Sequence, residues 1–289
     1  MTEVTERIVL QAQRAEITEH YIYRNLANLT KDPRNRQILE EIAEDELEHY
    51  EFWQTHTGTT IKPKRWKIRF YTLLARLLGL TFAIRLMEAG EDLAQETYHE
   101  ISREIPQAAE IEKDEMDHEE ELIEMLDEEL LQYAGSVVLG LNDALVELTG
   151  AIAGLTLALQ NTSLVAIAAL ITGISAAFSM AGSEYLSTKT EDEGSRNPLK
   201  ASVYTGVAYF CTVLVLVLPF FIVVNPFLGL LWTLINAILI ILIFNYYISV
   251  AKAYKFARRF WEMVGISMGV AGISFLIGLG IRHLLGVEV

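Results

Sequence analysis

Glu115-Met116-Asp117-His118 and its earlier counterpart Glu46-Leu47-Glu48-His49 decide how the first half of this 289-residue chain folds. Residues i and i+3 share one face of an α-helix, so each Glu-x-x-His turns a carboxylate and an imidazole toward the same point. Each pair needs a further carboxylate from a neighbouring helix. Glu16 stands 30 residues before Glu46, and Glu88 stands 27 before Glu115, so a unit of one Glu helix followed by one Glu-x-x-His helix occurs twice. That repeat is the pattern of a two-metal carboxylate site inside a four-helix bundle, drawing on Glu16, Glu46, His49, Glu88, Glu115 and His118.

The first 134 residues hold 24 Glu and five His, so roughly one Glu-x-x-His arises by accident in so acidic a stretch. Glu96-Thr97-Tyr98-His99 fits that description: His99 lies 11 residues past Glu88, about 16 Å along a helix axis and too far to share its ion. A solvated acidic bundle that holds no metal is the plain alternative.

On these residues the chain resembles the rubrerythrin branch of the ferritin-like proteins over about residues 1–132. The resemblance implies a di-iron site with the six residues above as ligands and Glu91 as a seventh, carboxylate-shifting ligand. The small Cys-rich iron domain that rubrerythrins often carry has no counterpart, since Cys211 stands alone.

Composition divides the chain near residue 134. Residues 1–134 carry 30 acids and 15 bases, and the remainder carries eight of each. So acidic a front half argues against nucleic acid and for cations as partners. A single cysteine rules out an internal disulfide framework. The first thirty residues are charged throughout and do not read as a cleavable leader.

Helical periodicity predicts a first helix over about 3–29, then a second that opens at Asp32-Pro33 and stops at Gly58. His20, one turn past Glu16, reads either as a ligand or as a bundle histidine bonded to a neighbouring acid; His56 reads as surface. Residues 62–87 depart from the pattern, with Lys62, Lys64, Arg65, Lys67 and Arg69 ahead of a run of Phe70, Leu73, Leu74, Leu77, Leu78, Leu80, Phe82 and Ile84. A transmembrane helix here would bury Arg76 mid-span and put Glu88 across the membrane from Glu16. A basic amphipathic helix lying in the membrane interface explains the same residues, and ordinary packing of an apolar bundle helix is the alternative. The third ligand helix then runs from Glu88 to about Arg103, and Pro106 opens the fourth.

From Gly135 five apolar stretches follow, at about 135–159, 163–187, 201–224, 227–250 and 262–281, each long enough to cross a bilayer. Basic residues cluster in two connections, Lys189, Arg196 and Lys200 in one and Lys252, Lys255, Arg258 and Arg259 in the other, while the two opposite connections are uncharged. The positive-inside rule then predicts a multi-pass protein of the cell membrane with the N-terminal bundle in the cytoplasm and the C-terminus outside. Pro219 reads as a kink, and Gly265, Gly269 and Gly272 as a close helix contact or a dimer seam.

Asp143 and Glu147 lie one turn apart on the first span, and Glu184 lies one turn after Met180 on the second. Each acid at depth costs roughly 2.5–3.5 kcal/mol on insertion scales. No Lys or Arg lies within the first four spans, so the countercharge is a bound cation or a proton; protonated, hydrogen-bonded acids near the interface are the alternative, above all for Glu184. Oxygen ligands with a thioether nearby suit Fe²⁺ or Mn²⁺ better than Mg²⁺, although Met180 could equally fill a packing gap.

Around Asn142-Asp143-Ala144-Leu145 and Ser179-Met180-Ala181-Gly182-Ser183-Glu184-Tyr185-Leu186-Ser187 the chain resembles the vacuolar iron transporter family, over about residues 134–287. This resemblance implies a homodimer that exchanges cytosolic Fe²⁺ or Mn²⁺ for protons, with Asp143 and Met180 in the path. The plant members join spans 2 and 3 through a Glu- and Met-rich domain, where this chain has only Thr188–Lys200; the bundle would take over metal gathering, a pairing similar to the membrane-bound ferritins of prokaryotes. The expectation is an all-α protein, a ferritin-like four-helix bundle (1–132, including the interfacial stretch 62–87) followed by a five-helix transmembrane domain (133–289). It would export Fe²⁺ or Mn²⁺ by proton antiport through Asp143, Glu147, Met180 and Glu184. The rival is a membrane-tethered di-iron oxidase or peroxidase whose spans are an anchor. The same bundle ligands serve oxidation, sensing or delivery.

Overall fold

The computed structural model describes residues 3–88, 104–125, 133–191, 196–252 and 254–285. All regular structure among the described residues is helical, so the chain is all-α. Contacts divide it into two compact units, Met1–Glu128 and Glu129–Val289.

In the first unit α1 (Glu3–Leu29) and α2 (Pro33–Thr57) form an antiparallel hairpin. Asp32 caps α2 by accepting from the backbone N–H of Arg34 and Asn35, and Pro33 occupies the first turn, where an N–H would have no helical partner. Gly58 ends α2 at φ 63°, the left-handed geometry that favours glycine. Ile22, Tyr23 and Leu26 of α1 interleave with Leu39, Ile42 and Ala43 of α2, and Ile84 and Met87 of α4 (Leu80–Glu88) and Leu122 of α5 (Ala108–Met125) complete that core. Val9, Trp53 and Ile111 anchor a second cluster further along the hairpin.

Residues 62–87 divide into two helices with opposite fates. α3 (Arg65–Leu78) has no fully buried residue, whereas Thr81, Phe82, Ala83, Ile84 and Met87 of α4 are all buried. Gly79, at φ 94° and ψ 158°, makes the break. Ordinary core packing therefore accounts for Phe82 and Ile84, but not for Trp66, Phe70, Leu73 and Leu77, which are exposed. The opening of the fourth ligand helix also shifts, because Ile105 is buried and Pro106 sits in a tight turn ahead of Ala108. Glu91, like Glu96 and His99, lies outside the described residues.

The second unit comprises α6 (Ala134–Leu159), α7 (Thr162–Thr190), α8 (Pro198–Val217), the short α9 (Pro219–Ile222), α10 (Pro226–Ala251) and α11 (Phe256–Leu285). Taking α8 and α9 as one segment, five are long and apolar enough to cross a membrane. Asn161, Asn197 and Asn225 cap α7, α8 and α10 with their side chains. Pro219 interrupts the third span, as its missing N–H requires. α6 is the central element, packed against α7, α8, α10 and α11, with Leu145, Leu148 and Ile152 fully buried.

Of the two readings of Gly265, Gly269 and Gly272, the close helix contact is not made among the described residues of the chain, where a Cβ on any of the three would meet nothing; the dimer seam concerns a second copy. One tight crossing is Gly140 of α6 against the Thr205 backbone of α8, and another is Gly154 of α6 against Gly278 of α11, where a side chain on Gly278 would collide with the Gly154 carbonyl. At both places the backbones approach more closely than a Cβ allows.

Candidate functional site

In the first unit α1 supplies Glu16, α2 supplies Glu46 and His49, and α5 supplies Glu115 and His118. One ligand atom from each of Glu16, Glu46, His49 and Glu115 lies within 4.8 Å of all the others, so this group could hold a metal ion. Glu46 is the pivot, its Oε2 3.9 Å from His49 Nδ1 and its Oε1 3.6 Å from His118 Nδ1. Glu115 Oε1 lies 3.8 Å from His49 Nδ1. Glu46 thus offers one oxygen to each imidazole.

The far nitrogens are held crosswise. His49 Nε2 lies 3.4 Å from Asp114 Oδ2, and His118 Nε2 lies 3.1 Å from Asp45 Oδ2. An aspartate accepting at Nε2 turns Nδ1 inward and raises the basicity of the ring, the usual arrangement behind a metal-binding histidine. Trp53 Nε1 donates to Glu16 Oε1 at 3.1 Å, and Tyr23 donates its hydroxyl proton to Glu88 Oε1 at 3.1 Å. Glu88 acts on Glu115 electrostatically but is not one of the four gathered residues.

Burial and charge crowding shift the titration of the whole group. Burial, then Glu46 and Glu115, pushes the Glu16 carboxyl well above its ordinary range; burial and Glu46 do the same to Glu115. Burial also opposes ionisation of Glu46, yet the adjacent His118 and His49 outweigh it and hold this carboxyl at about 2. Burial works against protonation of His118, but Glu46 and Asp45 raise it to about 9. His49 rises for the same reason, through Glu46 and Asp114. Among the described residues Glu46 Oε2, His49 Nδ1 and His118 Nδ1 are buried and make no hydrogen bond. Inward-facing donors of this kind fit a metal ion, which satisfies lone pairs and charge together.

His20 belongs to neither expected class: its Nδ1–H donates to the Ala43 carbonyl at 2.6 Å, and the ring serves to join α1 to α2. Glu19, one turn past Glu16, belongs to the same electrostatic cluster; burial and then Glu46 push it up to about 8, against Lys67 and Lys64.

In the second unit the four expected path residues separate into two levels. Ser136, near the start of α6, donates to the buried Glu184 of α7 at 2.6 Å, and Arg196 Nη1 lies 4.0 Å from the same oxygen. Glu184 therefore has a basic partner, which comes from the connection after α7 and not from any span. Asp143 and Glu147 lie further along α6, about 10 and 16 Å from Ser136 at 1.5 Å per residue. Tyr209 of α8 donates to Glu147 Oε2 at 3.0 Å. Asp143 is half-buried and Glu147 is exposed on the surface of the unit. Met180 packs, half-buried, against the core of the helices.

Asp45, Asp114, Glu19, Trp53, Ser136, Arg196 and Tyr209 were not among the expected functional residues. For the two aspartates a signal exists, since both motifs read Asp-Glu-x-x-His in full. Glu19 shares the α1 face of Glu16, while nothing in the sequence marks Trp53 or Tyr209 as a carboxylate partner.

Residues 134–196, which include α6, α7 and nearly all of the following connection, match the VIT family. No curated protein and no solved structure shows significant similarity to the chain. The protein is thus a multi-pass membrane protein whose first two spans match the VIT family, over a region that contains Asp143, Glu147, Met180 and Glu184.

Proposed function

We propose that the protein exports a divalent transition metal, Fe²⁺ or Mn²⁺, from the cytosol in exchange for protons, and that its N-terminal unit is a ferritin-like bundle holding a resident two-metal centre. The observation that carries this reading is the pair of carboxylates on α6, Asp143 and Glu147, inside a VIT-matching span and with no lysine or arginine partner among the described residues. A mere anchor has no use for acids that cost roughly 2.5–3.5 kcal/mol each to insert. Carboxylates at this depth can take up a metal ion or a proton, and each occupant lowers affinity for the other, which is the basis of exchange.

Glu147 also bears on assembly. A carboxylate exposed on the lipid-facing surface of a span is costly, and Tyr209 satisfies only one of its oxygens. A homodimer that covers this part of α6 removes the cost and lines the path from two copies.

In the bundle Glu16, Glu46, His49, Glu115 and His118 would hold the metals, with Glu88 and Glu91 completing the set. Bound there, iron would supply redox chemistry toward oxygen species. The chain's own residues orient and retain: Asp114 and Asp45 fix the imidazoles, and Trp53 and Tyr23 fix Glu16 and Glu88. The gathered Glu and His residues also support a second reading, in which the bundle is a membrane-tethered oxidase or peroxidase and the spans only an anchor. Vesicles carrying the protein with the bundle outside, supplied with Fe²⁺ or Mn²⁺ and an imposed proton gradient, separate the two. The transport reading expects gradient-dependent metal accumulation absent from empty vesicles; Fe²⁺ oxidation without accumulation would favour the enzyme.

A further inference from the structure

Helix α3 presents a face that its own unit leaves uncovered. Ile68, Tyr71 and Ala75 lean on the core formed by α1, α2 and α4. On the opposite side Trp66 is 66% exposed, Phe70 44%, Leu73 54% and Leu77 71%. Their spacing of four, three and four residues places them in one stripe along the helix. Arg65, Arg69 and Arg76 follow one edge of that stripe and Lys67 the other. Residues 62–87 contain seven of the fifteen lysines and arginines that precede residue 135, and no acid. A basic, aromatic-bearing island thus sits on an otherwise anionic unit.

We propose that α3 is a docking helix for an anionic lipid surface, with Trp66, Phe70, Leu73 and Leu77 entering the boundary between headgroups and acyl chains and the flanking bases binding lipid phosphates. Three observations select lipid as the occupant. The chain is held in a bilayer by its own spans, so a lipid surface is always at hand. Arginine stems can lie along the apolar stripe while their guanidinium groups reach outward to phosphate, and tryptophan favours that depth. A symmetric contact between two copies through this face would set Arg65, Arg69 and Arg76 against themselves, which repulsion disfavours. Gly79 then acts as the pivot that lets a solvent-facing helix be followed at once by a core helix. Docking holds the bundle with its Glu and His cluster at the membrane surface.

The test uses the full chain with Cys211, its one cysteine, replaced by Ser. Nitroxide labels at Leu73→Cys, Leu77→Cys and, as a water-facing reference on α2, Glu41→Cys are read in bilayers of equal parts phosphatidylglycerol and phosphatidylcholine. Labels at 73 and 77 should collide with dissolved oxygen and be shielded from a water-soluble nickel chelate, with the reverse at 41. Arg69→Gln combined with Arg76→Gln, both exposed and so harmless to folding, should shift the balance toward water by about 25-fold, or about fivefold per charge. High salt should act in the same direction. Labels at 73 and 77 as open to nickel as the label at 41 would overturn the proposal. So would shielding from both reagents with dipolar broadening between labels, because a second copy would then cover the face.

Discussion

The two acidic groups of this protein arrange the same kinds of side chain in opposite ways. In the first unit, ligand atoms of Glu16, Glu46, His49 and Glu115 converge within 4.8 Å, and aspartates brace both imidazoles from behind. In the second, Asp143, Glu147 and Glu184 are strung along two helices with separate neighbours, Tyr209 for Glu147 and Ser136 with Arg196 for Glu184. Convergence with fixed ligands favours retention, since every donor meets the ion at once and none needs to move. Dispersal favours passage, because no one place offers enough ligands to trap an ion.

The contrast breaks most visibly at Asp143. Asp143→Asn removes the α6 carboxylate that makes no hydrogen bond among the described residues; metal flux in vesicles should fall to the level of empty vesicles while metal bound per chain is unchanged. Glu46→Gln should do the converse: metal bound by the purified chain, counted by elemental analysis, drops because both imidazoles lose their shared carboxylate, and flux through the spans persists at saturating metal. Loss of flux in Glu46→Gln as severe as in Asp143→Asn would mean that the two clusters are not separable.

Smaller effects sharpen the comparison. Asp45→Asn with Asp114→Asn leaves every inward donor in place and should weaken bundle affinity about 10–100-fold in a chelator competition, with little change in melting temperature. A large loss of stability instead would make these aspartates structural. Ser136→Ala removes the donor to the buried Glu184 and should cost about 1–3 kcal/mol, read as a lower unfolding midpoint in detergent. Flux at saturating metal should hardly change, because Glu184 retains Arg196 nearby.

What the sequence reveals and what it hides follow from the range of the forces involved. The caps at Asp32 and Gly58 and the five long apolar helices depend on local chemistry and on composition, and both can be read directly from the chain. The doubled Glu-x-x-His spacing likewise brings Glu46, His49, Glu115 and His118 into view. The crossed aspartates escape notice because their role exists only when two helices meet, although the repeated Asp before each motif was there to be seen. Residues 62–87 look like one amphipathic stretch, since composition does not register a single glycine at φ 94° that turns one half outward and the other half in. Arg196 is missed for a related reason: a count of bases within spans overlooks a long side chain reaching in from a connection.

The most direct measurement follows metal and proton together in one vesicle preparation of wild type and Asp143→Asn, with a metal-quenched dye and a pH dye inside and bound metal counted in parallel. The account predicts that metal entering from the bundle side drives protons the other way, that Asp143→Asn abolishes both movements, and that metal bound per chain is the same in the two proteins. Metal movement that survives in Asp143→Asn, or a wild type that oxidises Fe²⁺ but moves neither metal nor protons, would contradict it.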